Sequence, residues 1–574
     1  MNFTVQTKNE NAKIEISEVY EKGGIKYFDV HYSTSEMQVP EAFKILFDLP
    51  DIDCYSVFSP MIFREKNHKG PNWGKRVTNS RLASGMPVHQ LLSADGRNRY
   101  TFAINDAKTP TSIGTGTHEE TARVFVAIEF FSQLTAPINE YTATVRFDDR
   151  DIPYYDSIYE TTAWWENECG YTPAFVPEYA KLPMNSLWYS FHQKLDPDEI
   201  VKQCELSKPL GMDTVIVDDG WQCADNNRGY AYCGDWEVCE EKIPDMKNLV
   251  DRVHATGMKF MLWYSVPWMG RFSKNYERFS TMLLDGNYTD RWAALDPRYK
   301  EVRDFIVGIY KKAVLDWGLD GLKLDFIDSF RLAGKSLEPD DRRDISSLEE
   351  AVDTLMKEVA DTLTALNPDI LIEFRQTYVG PTIRKYGNMM RVFDCPADAI
   401  RNRTESVSLR YTCGKTAVHS DMLMWHYDDT VEAAAMQFVG ALYTVPQVSV
   451  LIDKLSDEHY KMVKYYLSFW REHREILIDG KLTANNPETG YSSITSAIDN
   501  KAVVTLYADR VIDTVYDYLV AVNATPKETI FVKGYKGKTF EVVDCMGNKK
   551  NGGTIDADIF EIAVPMCGMV VVTQ

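Results

Sequence analysis

The alternation of short apolar runs with amphipathic stretches, between about residues 184 and 476, constrains the fold more than any other feature of this chain. Each run is bounded by polar or turn-forming residues, which predicts a strand. The candidate strands are SLWYSF, TVIVDD, KFMLWYSV, GLKLDFI, ILIEFRQ, MRVFD, TAVHSD and PQVSVLI. Eight strand–helix repeats over about 290 residues match a (β/α)8 barrel in number and size. We therefore predict an α/β protein with a central (β/α)8 TIM barrel.

Two helices of this region have recognisable boundaries. Asp196 followed by Pro197 predicts an N-cap and a first helical turn, and Gly211 predicts the end of that helix. Further on, the sequence SSLE at 346–349 resembles a capping box in front of AVDTLMKEVADTLTAL.

The regions on either side of the barrel are rich in strands. The whole chain, at 574 residues, exceeds what one hydrophobic core usually holds. Residues 1–165 contain alternating runs such as AKIEISEVYE and ARVFVAIEFF, which predict an N-terminal β-sandwich. Residues 477–574 return to short strands and turns, which predict a smaller C-terminal β-sandwich. Residues 166–476 are assigned to the barrel, and the irregular, Pro-rich stretch 151–183 is predicted to be a linker.

The net charge and the composition of the chain indicate which kinds of binding partner and which cellular location to expect. A formal charge of −21 disfavours nucleic acid and anionic membranes as partners and favours a neutral small-molecule substrate. The polar N-terminus lacks signal-peptide features, and no apolar run approaches the roughly 20 residues that span a bilayer. Ten scattered cysteines without CxxC pairs are typical of reduced thiols in a cytoplasmic protein. A zinc site at Cys223, Cys233 and Cys239 is the less favoured alternative.

Three apolar runs deliver carboxylates at their C-terminal ends, namely TVIVDDGW (214–221), GLDGLKLDFI (318–327) and MMRVFDCPAD (389–398). In a barrel of parallel strands all such ends open on one face, where the active site lies. Two opposed carboxylates there are the minimum equipment for cleaving a glycosidic bond.

The second run carries the candidate nucleophile. Side chains alternate along a strand, so Lys323 and Asp325 share one face, predicted to be the lumen. A Lys two residues away favours an ionised carboxylate, which a nucleophile requires. The alternative interpretation is a buried ion pair that fills one layer of the barrel.

The neighbouring strand ends supply candidate binding groups. Asp218 and Asp219 are predicted to accept hydrogen bonds from neutral hydroxyls, with a helix-capping Asp as the alternative. Trp263 is predicted to lie under a sugar ring, although core packing is the commoner role of a lone Trp. Glu373 and Arg375 are interpreted equally well as a buried ion pair or as substrate contacts.

The third run carries the candidate general acid. Such a group must be protonated before the leaving group departs, so burial or a neighbouring anion should raise its pKa. Asp394 directly follows an apolar strand and is favoured. Asp398 lies four residues on, and its alternative roles are to bind a hydroxyl or to orient Arg391.

At these residues the chain resembles the α-galactosidases of glycoside hydrolase family 36. The motifs DDGW (218–221), GLDGLKLD (318–325) and the run ending ADAIRNR (397–403) are similar to the family's DDGW, G-x-DG-x-K-x-D and SDNTDA-x-x-R patterns. The resemblance implies Asp325 as nucleophile and Asp394 as acid/base, and no metal or organic cofactor. It also implies Asp218 and Asp219 as ligands of the 4- and 6-hydroxyls of galactose. With the other residues of the strand ends, the predicted substrate-binding set is Asp218, Asp219, Trp221, Trp263, Lys323, Arg375, Arg391, Asp398 and, from the N-terminal sandwich, Trp73.

Two departures from the family patterns leave alternatives open. Many members carry a Cys-Ser-Gly-Gly turn after the fifth strand, where this chain has RQTYVGP (375–381). That turn helps shape the subsite near the 2-hydroxyl, so a 2-acetamido sugar remains an alternative. The spacing in DCPAD is one residue longer than in SDNTD, so Asp398 remains an alternative to Asp394.

The resulting hypothesis is a retaining, exo-acting α-galactosidase with catalytic carboxyl groups about 5–5.5 Å apart. Its rivals are an α-N-acetylgalactosaminidase or a transglycosylase of the same clan, a non-catalytic sugar-binding relative, and a TIM-barrel enzyme that holds Mg²⁺. The family resemblance also implies assembly as a homo-oligomer, without fixing a number of subunits.

Overall fold

The N-terminal region is a β-sandwich of two antiparallel sheets. The computed structural model describes residues 1–60, 68–284, 290–333 and 338–573. The strands described in this region are β1 (Thr4–Thr7), β2 (Lys13–Ile16), β3 (Tyr20–Lys22), β4 (Ile25–Gln38), β5 (Phe43–Leu49), β6 (Ser56–Phe58), β7 (Arg76–Arg81), β8 (Ser84–Gly85), β9 (Val88–Leu92), β10 (Asn98–Ile104), β11 (Thr111–His118), β12 (Arg123–Phe130) and β13 (Ile138–Asp148). One sheet has the order β1-β5-β12-β11-β7-β8, and the other has the order β2-β4-β13-β10-β9-β6 with β3 beside β4.

Alternation of apolar side chains holds the two sheets together. In β5, Phe43, Ile45, Phe47 and Leu49 are buried while the residues between them are half-buried. These side chains meet the inward faces of the other sheet in one aromatic-rich cluster. The strand period of two in the sequence therefore corresponds to the buried face of the sandwich.

The central region is a nearly closed barrel of parallel strands. Its strands, with a short antiparallel hairpin β17–β18 inserted, are β14 (Met184–Ser186), β15 (Thr214–Val217), β16 (Lys259–Ser265), β17 (Trp268–Gly270), β18 (Trp292–Ala294), β19 (Gly321–Asp325), β20 (Leu371–Arg375), β21 (Met389–Arg391), β22 (Ala417–His419) and β23 (Gln447–Val448). The eight-stranded sheet has the order β22-β21-β20-β19-β16-β15-β14-β23, and bridges between β22 and the β23 region bring its ends together. The predicted barrel is confirmed.

The described helices surround this barrel or connect it to the sandwich. They are α1 (Tyr154–Asn167), α2 (Trp188–Phe191), α3 (Pro197–Ser207), α4 (Met246–Ala255), α5 (Tyr276–Phe279), α6 (Lys300–Trp317), α7 (Leu348–Leu366), α8 (Ala399–Thr412), α9 (Val431–Gly440) and α10 (Asp457–Glu472). Asp196 caps α3 by accepting hydrogen bonds from two backbone amides, and Gly211 adopts a left-handed conformation after the following 3-10 turn, as predicted.

Four details of the sequence prediction are wrong. The run SLWYSF was predicted as a strand, but the strand is Met184–Ser186 and residues 188–191 form the helical turn α2. The N-cap of α7 is Ser347, one residue later than the SSLE capping box requires. Residues 376–388 hold a 3-10 turn instead of a helix between β20 and β21, so one repeat lacks its helix.

The fourth error concerns the predicted linker, part of which is helix α1. Its buried residues include Tyr154, Ile158, Thr161 and Trp165, which follow the helical spacing of three and four. The helix packs against β10 of the sandwich and against α8 of the barrel. The Pro-rich flanks conceal a helix that joins the two regions.

The C-terminal region contains the strand-rich sheets expected there. They are built from β24 (Lys481–Asn485), β25 (Ser493–Ile498), β26 (Lys501–Leu506), β27 (Val511–Ile512), β28 (Tyr518–Asn523), β29 (Thr529–Lys533), β30 (Thr539–Val543), β31 (Lys549–Thr554), β32 (Ile559–Ala563) and β33 (Met569–Thr573). A seven-stranded sheet and a three-stranded sheet enclose an aliphatic core. The proposed boundaries between the three regions stay a prediction.

A loop of the N-terminal sandwich lies against the barrel near its carboxyl ends. Arg81 donates hydrogen bonds to the carbonyls of Asp328 and Phe330, and the backbone N–H of Gly85 donates to the carbonyl of Thr377 at 2.9 Å. None of the helices described here has the length and apolar character needed to cross a bilayer. Within the described ranges, no three His, Cys, Asp or Glu side chains are arranged to hold a metal ion.

Candidate active site

The lumen of the barrel changes from apolar to polar along the strands. Its lower layer is an apolar cluster that includes Met184, Ile216, Met261, Leu371, Met389 and Ala417. Two residues further along the same strands, the same faces carry Ser186, Asp218, Trp263, Glu373, Arg391 and His419. The apolar cluster therefore closes the bottom of the lumen, and a ring of mostly polar side chains lies above it, towards the carboxyl ends of the strands.

Asp325 ends β19 on this lumen face and is held by donors. Its Oδ1 accepts hydrogen bonds from Arg375 Nε at 2.8 Å, the Tyr378 hydroxyl at 2.7 Å and the Phe326 amide at 2.8 Å. Its Oδ2 accepts from Trp263 Nε1 at 3.1 Å. Burial opposes ionisation, but Arg375, then Lys323 and these hydrogen bonds, outweigh it and hold the pKa of Asp325 well below its usual value. The carboxylate is ionised, as a nucleophile must be.

Lys323 and Asp325 share the lumen face, but their ion pairs differ from the predicted ones. Lys323 Nζ pairs with Asp218 Oδ2 at 2.5 Å, and both side chains are 5% exposed. The cation that contacts Asp325 is instead Arg375 from the next strand. Lys323 lowers the pKa of Asp325 less than Arg375 does. Its ammonium group is in direct contact with Asp218 instead.

Glu373 and Arg375 do not pair with each other, in contrast to one of the two predicted arrangements. Glu373 lies one layer deeper, where Gln447 Nε2 donates to it and Arg391 Nε lies 3.5 Å from its Oε1. Burial raises the pKa of Glu373. Because successive lumen residues of one strand occupy different layers, Arg375 contacts Asp325 while Glu373 lies one layer deeper.

Asp219 is a buried carboxylate whose described partners are neutral. Gln193 Nε2 and Gln222 Nε2 donate to its two oxygens at 2.6 and 2.7 Å. Its side chain has little contact with solvent, and burial raises the pKa of Asp219 to about 6. Beside the Asp218–Lys323 pair, it provides a second acceptor for a hydroxyl group.

Asp394 is more exposed to solvent than Asp325. Its side chain is 44% exposed, against 10% for Asp325. Arg391 Nη2 donates to its Oδ1 at 2.9 Å, and Arg391 also pairs with the buried Asp421. Burial and the charge of Asp325 raise the pKa of Asp394, but Arg391, Arg375 and Lys323 outweigh them and lower it.

The prediction of a raised pKa for Asp394 is therefore wrong for the protein without substrate. The sequence indicated the apolar strand before Asp394, but not the three cations that meet there from neighbouring strands. The charge of Asp325 acts to raise the pKa of Asp394, which means that the two carboxyl groups lie close enough to interact.

Asp398, the alternative acid, caps a helix. Its side chain accepts a hydrogen bond from the backbone N–H of Arg401 at 2.9 Å and is the N-cap of α8. The residue is exposed, and its local role accounts for the Asp at this position. The described contacts do not give Asp398 the predicted role of orienting Arg391, which is held by Asp394 and Asp421.

The tryptophans separate into three roles. Trp221, predicted to bind substrate, is completely buried outside the lumen, with its Nε1 donating to the carbonyl of Trp263, and is a core residue. Trp263 is 2% exposed and donates a hydrogen bond to Asp325, so it is not an open aromatic platform in the protein without substrate. Trp73 lies on a 3-10 turn of the N-terminal sandwich with 78% of its surface exposed. Its predicted substrate contact stays a prediction.

Two tyrosines near Asp325 were not predicted from the sequence. Tyr378 follows β20 and donates to Asp325. Tyr230, from the loop after β15, stacks against Trp263 and Trp268 and meets Phe326 edge-on. Burial, then the charges of Asp325 and Asp219, raise the pKa of Tyr230. Its ring therefore lies within electrostatic reach of both Asp325 and Asp219. Both tyrosines lie on loops, where no periodicity marks them.

The carboxylate-ended strands and the barrel are shared with a known family. The family model for melibiase matches residues 182–480, which is just over half of the chain. The chain belongs to the melibiase family. The family resemblance recognised from the three acidic motifs is thereby confirmed.

Several curated proteins align with parts of the chain. The α-galactosidase AgaA of Geobacillus stearothermophilus is 22% identical over 307 residues, which cover 50% of this chain and 41% of that protein. The bifunctional α-galactosidase/sucrose kinase AgaSK of Mediterraneibacter gnavus is 31% identical over 146 residues, which cover 24% of this chain and 15% of that protein. An A type blood α-D-galactosamine galactosaminidase of Flavonifractor plautii is 24% identical over 274 residues, covering 43% of this chain and 24% of that protein. The chain spans less than half the length of each of these relatives.

Solved structures share the whole architecture. The galactosidase domain of AgaSK superposes with a TM-score of 0.66 at 14% identity and covers 100% of this chain and 85% of that one. AgaA of Geobacillus stearothermophilus in complex with raffinose superposes with a TM-score of 0.67 at 16% identity, over 98% of this chain and 81% of that one. At this identity the likeness establishes the fold: a β-sandwich, a (β/α)8 barrel and a C-terminal strand-rich region.

Proposed function

We propose that the protein is a retaining, exo-acting α-galactosidase. The observation that carries the proposal is an ionised Asp325 held inside the lumen, in electrostatic contact with the more exposed Asp394. A retaining glycosidase needs one carboxylate as nucleophile and a second carboxyl group as acid and then base. Asp325 has the low pKa of the first, and Asp394 has the accessibility of the second.

The polar groups above the apolar layer favour binding of a neutral sugar at the non-reducing end of a saccharide. Asp218, Asp219 and Lys323 provide acceptors and a donor for hydroxyl groups, and we assign the two carboxylates to the 4- and 6-hydroxyls. The apolar cluster beneath them blocks the lumen, so a chain of sugars has no exit through its bottom. Only an end residue fits such a site, which favours exo action.

The proposed reaction takes place in two displacements. Asp325 attacks the anomeric carbon while Asp394 gives its proton to the departing oxygen, which forms a covalent galactosyl-enzyme. Ester formation removes the charge of Asp325, and the pKa of Asp394 falls further because a neighbouring anion has disappeared. Asp394 then takes a proton from the water that attacks the anomeric carbon and releases galactose with its configuration retained.

Protonation of Asp394 before the first step requires a change when the sugar binds. Its side chain is 44% exposed in the free protein, and a bound galactoside would remove water from it. Loss of water disfavours the charged form of a carboxyl group and raises its pKa. We infer that substrate binding converts Asp394 into the acid.

The relatives support a galactoside as the substrate, with one rival. The structure of AgaA contains raffinose, and AgaA and AgaSK are α-galactosidases. The rival is an α-N-acetylgalactosaminidase, favoured by the RQTYVGP turn and by the similarity to the galactosaminidase of Flavonifractor plautii. Transglycosylation, homo-oligomer formation and a cytoplasmic location stay predictions.

A panel of nitrophenyl α-glycosides tests the proposed function. We expect the α-galactoside to be cleaved with a kcat/KM at least about tenfold above that of the α-N-acetylgalactosaminide, α-glucoside and β-galactoside, because lost polar contacts are worth about 1.5–3 kcal/mol each. Proton NMR of the first product should show α-galactose. Preferred cleavage of the acetamido sugar would replace the proposal with its rival, and initial release of β-galactose would exclude the retaining mechanism.

A further inference from the structure

The two oxygens of Asp325 have unequal surroundings. Three donors converge on Oδ1, namely Arg375 Nε, the Tyr378 hydroxyl and the Phe326 amide, all within 2.8 Å. Among the described residues, Oδ2 accepts one hydrogen bond, from Trp263 at 3.1 Å. A carboxylate oxygen with three donors has its lone pairs occupied, whereas an oxygen with one long contact keeps a lone pair for bonding.

The donors on Oδ1 are themselves held rigidly. The guanidinium of Arg375 lies 5.2 to 5.4 Å from the ring centres of Phe326, Tyr378 and Phe393, and its Nη1 donates to the carbonyl of Gln376 at 2.9 Å. Tyr378 is completely buried. Rotation of the Asp325 carboxylate would break all three contacts with Oδ1 together, so its orientation is fixed before substrate arrives.

We propose that Arg375, at the end of β20, and Tyr378, in the turn that follows, are positioning residues, which hold Oδ1 of Asp325 in place so that Oδ2 is the attacking atom. This inference deepens the proposed function and rests on it. It assigns a role to the RQTYVGP segment, the place where the chain departs from the Cys-Ser-Gly-Gly turn common in glycoside hydrolase family 36.

The hydrogen bonds to Oδ1 have opposite effects on the rates of the two chemical steps. In the first step the bond between the anomeric carbon and Oδ2 forms, the bond to the aglycone oxygen breaks, and that oxygen receives the proton of Asp394. The negative charge of Asp325 disappears, so donors that stabilise this charge slow the attack. In the second step the oxygen of water bonds to the anomeric carbon and the bond to Oδ2 breaks. The electron pair returns to the carboxylate, and donors on Oδ1 accelerate its departure.

Other charged or titratable groups also face Asp325. They are Lys323 from its own strand, Asp328 from the loop that follows it, Asp394 from the loop after β21 and Tyr230 from the loop after β15. Lys323 is engaged by Asp218, and the groups on Asp328, Asp394 and Tyr230 cannot supply a positive charge. Arg375 is therefore the cation in direct contact with the nucleophile.

The decisive experiment is the crystal structure of the full chain inactivated with a mechanism-based fluorogalactoside. We expect the anomeric carbon to be bonded to the Asp325 oxygen nearest Trp263 Nε1. The other oxygen should remain within hydrogen-bond distance of Arg375 Nε and the Tyr378 hydroxyl. A sugar bonded to the oxygen nearest Arg375 would overturn the inference while leaving the proposed function intact. Absence of a covalent sugar on Asp325 would overturn the proposed function itself.

A kinetic comparison separates positioning from a merely structural role. Tyr378→Phe removes one donor from Oδ1 with little change of shape, and we expect kcat for an aryl α-galactoside to fall about tenfold or more. Because breakdown of the galactosyl-enzyme slows more than its formation, KM should fall with kcat and kcat/KM should change by less than about threefold. Equal falls in kcat and kcat/KM, or an unchanged kcat, would overturn the inference.

A matched control is a buried tyrosine that packs against helix α7. Tyr386 also donates its hydroxyl to a carboxylate, that of Asp353, but lies outside the lumen contacts described above. Tyr386→Phe should leave both kcat and KM at their wild-type values. Lack of activity in the wild-type protein would count against the proposed function. If the wild type is active and Tyr378→Phe keeps wild-type kcat and KM, as Tyr386→Phe should, the positioning role of Tyr378 is contradicted.

Discussion

Replacement of Asp219 by Asn should make the protein more stable relative to wild type as the pH rises, while impairing its function. Asp219 is buried, and its described hydrogen-bond partners are Gln193 and Gln222. Burial raises the pKa of Asp219 from 3.8 to about 6, a difference worth about 3 kcal/mol. The folded protein therefore binds this proton more tightly than the unfolded chain does.

The direction of the pH effect follows from that difference. The raised pKa contributes stability below about pH 4, where both states are protonated at Asp219. The contribution is lost as pH rises through about 6, because the folded protein must then keep a charged carboxylate in a buried site. From pH 4.5 to pH 8, linkage predicts that the free energy of unfolding of the wild type falls by about 2 kcal/mol relative to that of a variant without a titrating group at this position.

Asn at this position also disturbs hydrogen bonds, but that disturbance is independent of pH. Both glutamines donate to Asp219, and Asn has one acceptor oxygen for two donors. The absolute stability of the variant is therefore less informative than its change with pH. The measurement is urea unfolding of the barrel, followed by tryptophan fluorescence, for both proteins at pH 4.5 and pH 8.

We expect the stability of Asp219→Asn relative to wild type to increase by about 2 kcal/mol from pH 4.5 to pH 8. Asp361→Asn is the control, because Asp361 has 64% of its side chain exposed and pairs with Lys357 on a surface helix. Its relative stability should change little with pH. A difference between Asp219→Asn and wild type that is the same at both pH values would refute the reasoning.

Three further predictions concern the remaining polar groups. Lys323→Met leaves Asp218 buried without its cation and should destabilise the protein by about 3–5 kcal/mol, measured by urea unfolding; a loss below about 1 kcal/mol would contradict this. Asp398→Ala removes an N-cap and should lower stability by about 1 kcal/mol with kcat unchanged, whereas a thousandfold loss of kcat would make Asp398 the acid. Asp394→Ala should lose about 10²–10⁴-fold in kcat on poor leaving groups, with azide restoring turnover of an aryl galactoside as the galactosyl azide; no rescue would contradict its assignment.

Much of the fold could be predicted because it depends on local patterns. The β-strand period in segments such as Phe43–Leu49 and the alternation of strands and helices determine which faces are buried. The helix α1 was missed because aromatic residues and flanking prolines obscure its spacing, and its apolar face is explained only by the two regions it joins.

The candidate site was predictable as far as strand ends determine it. Asp218, Lys323 and Asp325 all occupy the lumen because a period of two along a parallel strand fixes their faces. Their partners depend on the register between strands, which the sequence does not state. The pairing of Lys323 with Asp218, and of Asp325 with Arg375, follows from that register.

Loop residues lie beyond this kind of prediction. Tyr378 contacts Asp325, and Tyr230 packs against the neighbouring Phe326, from loops with no periodic signal. The DDGW motif led to the opposite error for Trp221, which was predicted to bind substrate because it follows two aspartates of the candidate site, but is buried in the core. Position in the sequence predicted which side chains enter the lumen for strand residues, because a strand fixes the direction of each side chain. It was misleading for residues just after a strand.

Peptide mapping of the fluorogalactoside-labelled protein tests most directly that Asp325 is the nucleophile of a double displacement. The intact mass should increase by one fluorogalactosyl group per chain, and the labelled peptide should contain Asp325, with Asp325→Asn taking up no label. A label on Asp394 or on any other residue, or rapid hydrolysis by the Asp325→Asn variant, would contradict the mechanism.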